Sequence, residues 1–162
     1  GGSVVVNNPL ENDNLSGFNS SDEPTVSTIK VEKNCSQLSA AGAQSADKDT
    51  YIYITFSEAM LTSSITATTT GTTSNCSGTV QLSTESSFPF TNCIAMSSSE
   101  GVPNNTNKEF KFIPSSNLSI SAGIYKIVVT TGVKDASGVS MLNNDNSSLT
   151  NGFTVNKTST CR

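Results

Sequence analysis

The chain has 162 residues, of which 34% are hydrophobic and 14% charged, with a net charge of −4 and no histidine. This length allows one domain, or one domain with a tail. The charge argues against a nucleic-acid binder, because no basic stripe exists to displace phosphate counterions. No window approaches the ~18 uninterrupted apolar residues of a membrane span. The lack of histidine removes most catalytic triads and proton shuttles.

Residues 1–24 are polar and show little periodicity, and from residue 7 onwards they read NNPLENDNLSGFNSSDEP. Composition of this kind favours a flexible N-terminal linker that ends at Pro24. The short run SVVV within it could form a short edge strand, but the composition favours a linker throughout. We therefore expect a linker over 1–24 and a domain over 25–162, and we expect the whole to be a piece of a longer protein.

Eight short segments after residue 24 alternate between apolar and polar residues, which predicts β-strands. The clearest is YIYITF, whose Ile52, Ile54 and Phe56 share one face. In chain order the segments are TVSTIKVEK, YIYITF, SSITATTT, GTVQLST, NCIAMSSS, EFKFIP, GIYKIVVTTGVKD and NGFTVNK. The stretch QLSAAGAQSADKD between the first two is predicted to be a polar loop.

GTVQLST and NCIAMSSS are predicted to pair, with Val80 and Leu82 facing Ile94 and Met96. A single sheet would leave one set of apolar side chains in water. The pattern therefore predicts an all-β, immunoglobulin-like Greek-key β-sandwich of about 7–8 strands.

Four cysteines without a CxxC pair indicate two disulfides rather than a zinc site, because zinc would need all four scattered thiols. Disulfides in turn imply an oxidising, extracytoplasmic compartment. The sequence leaves three pairings open, and the expected strand placement favours Cys76–Cys93 and Cys35–Cys161. In such sandwiches the first and last strands can run side by side, which would bring Cys35 and Cys161 together.

The segments YIYITFSEAM, FKFIPSSNLSISAGIYKIVVTTGVKDASGVSM and GFTV resemble the bacterial Ig-like domains of S-layer and surface-adhesin proteins. The resemblance covers about residues 24–156 and is strongest in 50–60 and 110–138. It implies an Ig-like sandwich, commonly one of several in tandem on the bacterial envelope and often on a lipoprotein that is lipid-anchored in its full length. The insert NCSGTVQLSTESSFPFTNC departs from the family pattern.

Three residues carry local structural signals. Tyr125 follows LSISAGI in the manner of a tyrosine corner, so its hydroxyl is expected to bond to backbone a few residues upstream. In KDASG, Asp135 is expected to bond the backbone two residues on, and Gly138 to take a positive φ.

Glu58 and the pair Asp47 and Asp49 are the acidic residues that merit a functional interpretation. Glu58 could serve as a general acid or base or as a calcium ligand, but it is more simply a strand-end carboxylate that accepts N–H bonds from the following turn. Asp47 and Asp49 could offer oxygens to Ca²⁺, yet the usual Asp-rich loop with its glycine is absent. The sequence thus predicts no catalytic residue, no metal site and no cofactor.

Aromatic residues form the candidate binding patch. Tyr51 and Tyr53 point away from the apolar face of their strand and form either an exposed patch or a layer beneath a crossing segment. Phe88 and Phe90 lie between Cys76 and Cys93, where they either project or close one end of the sandwich.

The sequence therefore predicts a non-catalytic, extracytoplasmic Ig-like domain of a bacterial surface protein. Its first expected role is adhesion to a host matrix or cell-surface protein. The alternative is a spacer that binds nothing itself and only adjoins neighbouring Ig-like domains.

Overall fold

The computed structural model describes residues 22–71, 76–119, 123–156 and 158–162. The predicted linker over 1–24 lies almost entirely outside these residues. The described strands, numbered in chain order, are β1 (Val26–Lys33), β2 (Ser36–Ser39), β3 (Ile52–Phe56), β4 (Val80–Ser83), β5 (Val102–Pro103), β6 (Glu109–Phe112) and β7 (Lys126–Val129). A 3₁₀ turn spans Thr62–Ser64, and one short helix, α1, spans Ser147–Thr150.

The larger sheet has five antiparallel strands in the order β2-β1-β3-β6-β5. Its centre is β3, where buried and half-buried residues alternate along the strand. Ile54 lies opposite Ile29 of β1 and Phe110 of β6. The two-residue period of YIYITF thus places one apolar face on the core.

The smaller sheet pairs β4 with β7, so that Val80 lies opposite Val129 and Leu82 opposite Ile127. Isolated bridges extend it beyond β7, among them one between Tyr125 and Phe153. This sheet closes the second side of the core.

The core fills the space between the two sheets with aromatic and β-branched side chains. The rings of Phe56 and Phe110 meet edge to face at 5.9 Å, and those of Tyr125 and Phe153 stack at 5.4 Å. Such ring pairs add to the free energy gained from area burial alone. The predicted all-β, Ig-like sandwich is confirmed.

Two disulfides close the chain, joining Cys35 to Cys161 and Cys76 to Cys93. These are the pairings that the expected strand placement favoured. Cys35 lies in the turn between β1 and β2, and Cys93 lies after the loop that follows β4.

The predicted pairing of GTVQLST with NCIAMSSS is wrong. β4 pairs with β7, and residues 93–97 form no strand. Among the described residues the segment makes one backbone hydrogen bond to β4, from the Ile94 N–H to the Leu82 oxygen, after which Met96 bridges to Pro114. The segment at residues 93–97 and the segment that forms β7 have the same alternation of apolar and polar residues, so this pattern could not show which of them pairs with β4.

The predicted polar loop after residue 36 is also wrong in its first part, because Ser36–Ser39 forms β2. Asn34 and Cys35 both have positive φ, 51° and 67°, the geometry of a two-residue hairpin turn. The weak strand SSITATTT reduces to a bridge between Thr66 and Glu100, and NGFTVNK to isolated bridges. Both segments bury apolar residues, among them Ile65, Phe153 and Val155, so their alternation marks the core-facing side without specifying a continuous ladder.

Candidate functional site

The densest polar cluster holds the C-terminal residues against the end of the larger sheet. We call its three carboxylates, those of Glu32, Asp47 and Asp49, the acidic clamp. The Arg162 guanidinium meets Glu32 at 2.7 Å. The backbone N–H groups of Cys161 and Arg162 donate to the two oxygens of Asp49, each at 2.7 Å.

Asp47 is fully buried and links the first hairpin to the C-terminal segment. Its oxygens accept the N–H groups of Asn34 and Cys35, both at 2.9 Å, and the Ser159 hydroxyl at 2.5 Å. Burial alone would raise the pKa of Asp47, but these hydrogen bonds, foremost that from Ser159, outweigh burial and hold the pKa below its ordinary value. Asp47 thereby fixes the Cys35 end of the bridge and holds the C-terminal segment at Ser159, while Asp49 binds the Cys161 N–H.

Glu32 is almost fully buried on β1, where a lone carboxylate would be costly. Besides Arg162, it accepts the Tyr51 N–H at 2.9 Å and the Tyr53 hydroxyl at 2.8 Å. Burial favours a higher pKa for Glu32, yet these partners, Arg162 first, hold the pKa below its usual value. Burial, together with the bond to Glu32, raises the pKa of Tyr53 to about 12.

The two tyrosines of the candidate binding patch lie at this cluster, both of them half-buried. The Arg162 guanidinium carbon stands 3.4 Å from the centre of the Tyr51 ring, within cation–π range. Lys111 approaches the same ring at 5.2 Å. Tyr51 therefore lies beneath Arg162, and Tyr53 is held by Glu32.

The carboxylate oxygens of the calcium candidates Asp47 and Asp49 accept hydrogen bonds from N–H and O–H donors of the chain. Ligand atoms of Cys35, Asp47 and Cys161 come within 4.8 Å of one another, which is close enough to suggest a metal site. The two sulfurs are joined as a disulfide, however, and a disulfide is not a thiolate ligand. The two aspartates instead hold the backbone of the first hairpin and of the C-terminal segment.

Glu58 lies half-buried beside Asp135, which the fold brings from the turn that follows β7. Its side chain hydrogen-bonds to Asp135, a partner that is distant in sequence and that the sequence analysis did not consider. Burial raises the pKa of Glu58, and the hydrogen bond and negative charge of Asp135 raise it further. Burial and the neighbouring acid both disfavour the ionised form of Glu58.

The turn after β7 has the contacts that its sequence suggests. Asp135 accepts the N–H of Ser137 at 2.9 Å and that of Val139 at 2.8 Å, and Gly138 has a φ of +89°. The Tyr125 hydroxyl donates to the Ser119 oxygen at 2.8 Å and accepts the Ser119 N–H at 2.7 Å. Both features fix loops to the core strands.

The cystine loop, residues 84–93 between β4 and the Cys76–Cys93 bridge, folds back onto the outer face of β7. Phe90 is buried with Cys93 against Val128, while Phe88 is half-buried and meets the Phe90 ring edge to face at 5.5 Å. The Glu85 carboxylate accepts the N–H groups of Thr91 and Asn92 at 2.8 Å and 2.6 Å. The tip is thus internally ordered, and of its two phenylalanines Phe88 alone reaches solvent.

Sequence reasoning missed Glu32 and Arg162, which organise the acidic clamp. One signal was available: Val31 and Glu32 are consecutive on a strand whose alternation demands that only one of them face the core. Both are buried, because the C-terminal segment covers the second face. The position of Arg162, 130 residues away, could not be inferred from local pattern.

A family model described as a bacterial Ig-like domain matches residues 21–155 of the chain. No curated protein and no solved structure matches it. The matched stretch spans both sheets and the cystine loop, and it ends before the segment that carries Cys161 and Arg162. Within the described residues, no helix is long and apolar enough to cross a membrane.

Proposed function

Because the chain belongs to the bacterial Ig-like domain family, we propose that it is a non-catalytic module of the bacterial cell surface that serves as an inextensible spacer. Domains of this family are usually on the cell surface or extracellular, and they are generally binding or spacer modules. A lipid-anchored protein with neighbouring Ig-like domains is the setting that we propose for it.

The observation that supports a spacer is the position of the Cys35–Cys161 bridge. The bridge joins the turn at the end of β1 to the C-terminal segment, across 126 residues of sequence. Tension applied at the two ends of the domain passes along β1 and through the bridge into Cys161. The residues between Cys35 and Cys161 then carry no load, whatever the strength of their own contacts.

β1 itself is suited to this role because its eight residues are already extended. A strand at about 3.3 Å per residue is close to the full reach of the chain, so tension can lengthen it little. Pairing with β3 on one side and the acidic clamp at its end keep β1 aligned with the bridge.

Single-molecule stretching between handles at residue 22 and Arg162 tests the proposal. With both disulfides intact, unfolding should lengthen the chain by only about 20 Å, because residues 22–35 reach about 45 Å at roughly 3.5 Å per residue and the strand β1 already spans about 26 Å of this. In a variant with Cys35→Ser and Cys161→Ser, the freed 126-residue separation should release about 440 Å at the same length per residue.

The matched control is the double variant Cys76→Ser and Cys93→Ser, which removes the bridge that lies off the load path. This variant should retain the short release of the unmodified protein. A release of several hundred ångströms from the fully oxidised protein would contradict the spacer proposal.

Adhesion through the cystine loop is the second candidate, and the observation that favours it is the ordered tip carrying Phe88. A rigid, half-exposed aromatic ring loses little conformational entropy on binding. If the loop binds a host matrix or cell-surface protein, the oxidised protein should bind at least one member of a matrix-protein panel. Phe88→Ser should then weaken binding about tenfold or more, whereas Leu142→Ser, an exposed apolar residue elsewhere, should not.

A further inference from the structure

β1 has an edge that no strand covers in the described part of the chain. β2 pairs with Lys30–Lys33 only, and one further bond joins the Ala40 N–H to the Ile29 oxygen at 2.8 Å. Before Ile29 the outward backbone groups of β1 have no neighbouring strand among residues 22–71, 76–119, 123–156 and 158–162. Such an edge is a template for an additional strand.

A cavity of about 290 Å³ runs beside this edge. One wall is β1 from Val26 to Lys30, and the opposite wall includes Asp145, Ser148 and Asn151. Val26 and Ile29 are half-buried against the core, so their remaining apolar surface faces the space. The cavity therefore offers both an edge for backbone hydrogen bonds and apolar side chains to cover.

A second cavity, of about 310 Å³, shares Val26 and Asp145 with the first. It continues to Glu23 and Pro24, next to Asp22 where the described chain begins. The two cavities adjoin at Val26 and Asp145, and we call them together the groove; their lining extends from Glu23 to the uncovered edge of β1.

We propose that residues 3–6 (SVVV) add to this edge as an extra strand of the same molecule. In residues 1–21 this is the one run of β-branched apolar residues, and the remainder is mostly polar. Residues 7–21 separate it from Asp22 and reach up to about 50 Å, whereas the edge from Val26 to Lys30 spans about 13 Å. The segment can therefore fold back onto the groove in either direction.

Docking of this kind gains main-chain hydrogen bonds from the edge and buries one face of the added strand. On a strand Val4 and Val6 share a face, so two valines can cover Val26 and Ile29 together. The opposing cost is closure of a loop of about 15 residues, which grows only slowly with loop length.

Hydrogen exchange of the backbone amides of Ser27 and Ile29 in the full chain tests the proposal. Replacing Val4, Val5 and Val6 together by Asp should speed exchange at these amides by about tenfold or more, because charged residues cannot cover Val26 and Ile29. The matched control is the triple variant Asn12→Asp, Asn14→Asp and Asn19→Asp, which adds the same charge outside residues 3–6. This control should exchange as the unmodified protein does.

Exchange that is the same in all three proteins would overturn the proposal. Amide protection that rises with protein concentration would also overturn it, because the segment in the groove would then come from a second copy of the chain. Protection that is independent of concentration and specific to the valine run supports intramolecular docking.

Discussion

At the scale of single residues, three carboxylates show how partners decide the protonation of similar groups. Glu32 and Asp47 are buried among N–H, O–H and guanidinium donors, and their pKa values are lowered in spite of burial. Glu58 is less buried, but its partner is another acid, and its pKa is raised. The donors around a carboxyl group matter more here than the depth of the group.

Glu58→Gln should stabilise the protein at neutral pH, because the amide keeps a hydrogen bond to Asp135 and removes the repulsion. The folded-state pKa of Glu58 is raised, so the folded state binds the proton more tightly than the unfolded state does. The loss of folding stability that ionised Glu58 causes is therefore absent below the unfolded-state pKa near 4.5, and it grows as the pH rises through the folded-state pKa. Urea unfolding of both proteins at several pH values measures this.

The control for that prediction is Glu85→Gln. Hydrogen bonds from the backbone of Asn92 and Thr91 lower the pKa of Glu85, so its contribution to stability has the opposite sign. The Glu85→Gln variant should be less stable at neutral pH and should match the unmodified protein once the pH falls below the folded pKa of Glu85. A Glu58→Gln variant that is no more stable at pH 7 than at pH 4, relative to the parent, would contradict the raised pKa of Glu58.

At the scale of elements, the strands with the strongest alternation could be predicted and their neighbours could not. YIYITF and EFKFIP each bury a full face, and β3 and β6 appear where those segments stand. The partner of β4 was mispredicted, because Ile94 and Met96 alternate as convincingly as Ile127 and Val129. Pairing is decided by which segment fits the inner edge of the core, and local alternation does not contain that information.

The acidic clamp and the uncovered edge of β1 lay beyond prediction for a related reason. Each depends on segments that are far apart in sequence: Glu32 pairs with Arg162, and Val26 and Asp145 line the same cavity. The hairpin between β1 and β2 could have been predicted from the sequence, because Asn34, which stands before Cys35 in the turn, is a residue type that tolerates positive φ.

At the scale of the whole molecule, the two disulfides divide the chain very unequally. Cys35–Cys161 spans 126 residues and Cys76–Cys93 spans 17. Closing a loop restricts the unfolded chain in proportion to the logarithm of its length. The long bridge restricts most of the domain, and the short one restricts only residues 76–93, which include β4.

Removing the long bridge should therefore destabilise the protein more than removing the short one. The chain-entropy relation gives about 5 kcal/mol for the long loop and about 3 kcal/mol for the short loop. Loss of Cys161 also loosens the segment that presents Ser159 to Asp47 and Arg162 to Glu32, which adds to the larger cost. Chemical unfolding of the variants Cys35→Ser with Cys161→Ser, and Cys76→Ser with Cys93→Ser, gives the two free energies. Equal losses, or a larger loss from the short bridge, would show that Cys35–Cys161 does not restrain the unfolded chain and that the clamp is held by its carboxylates alone.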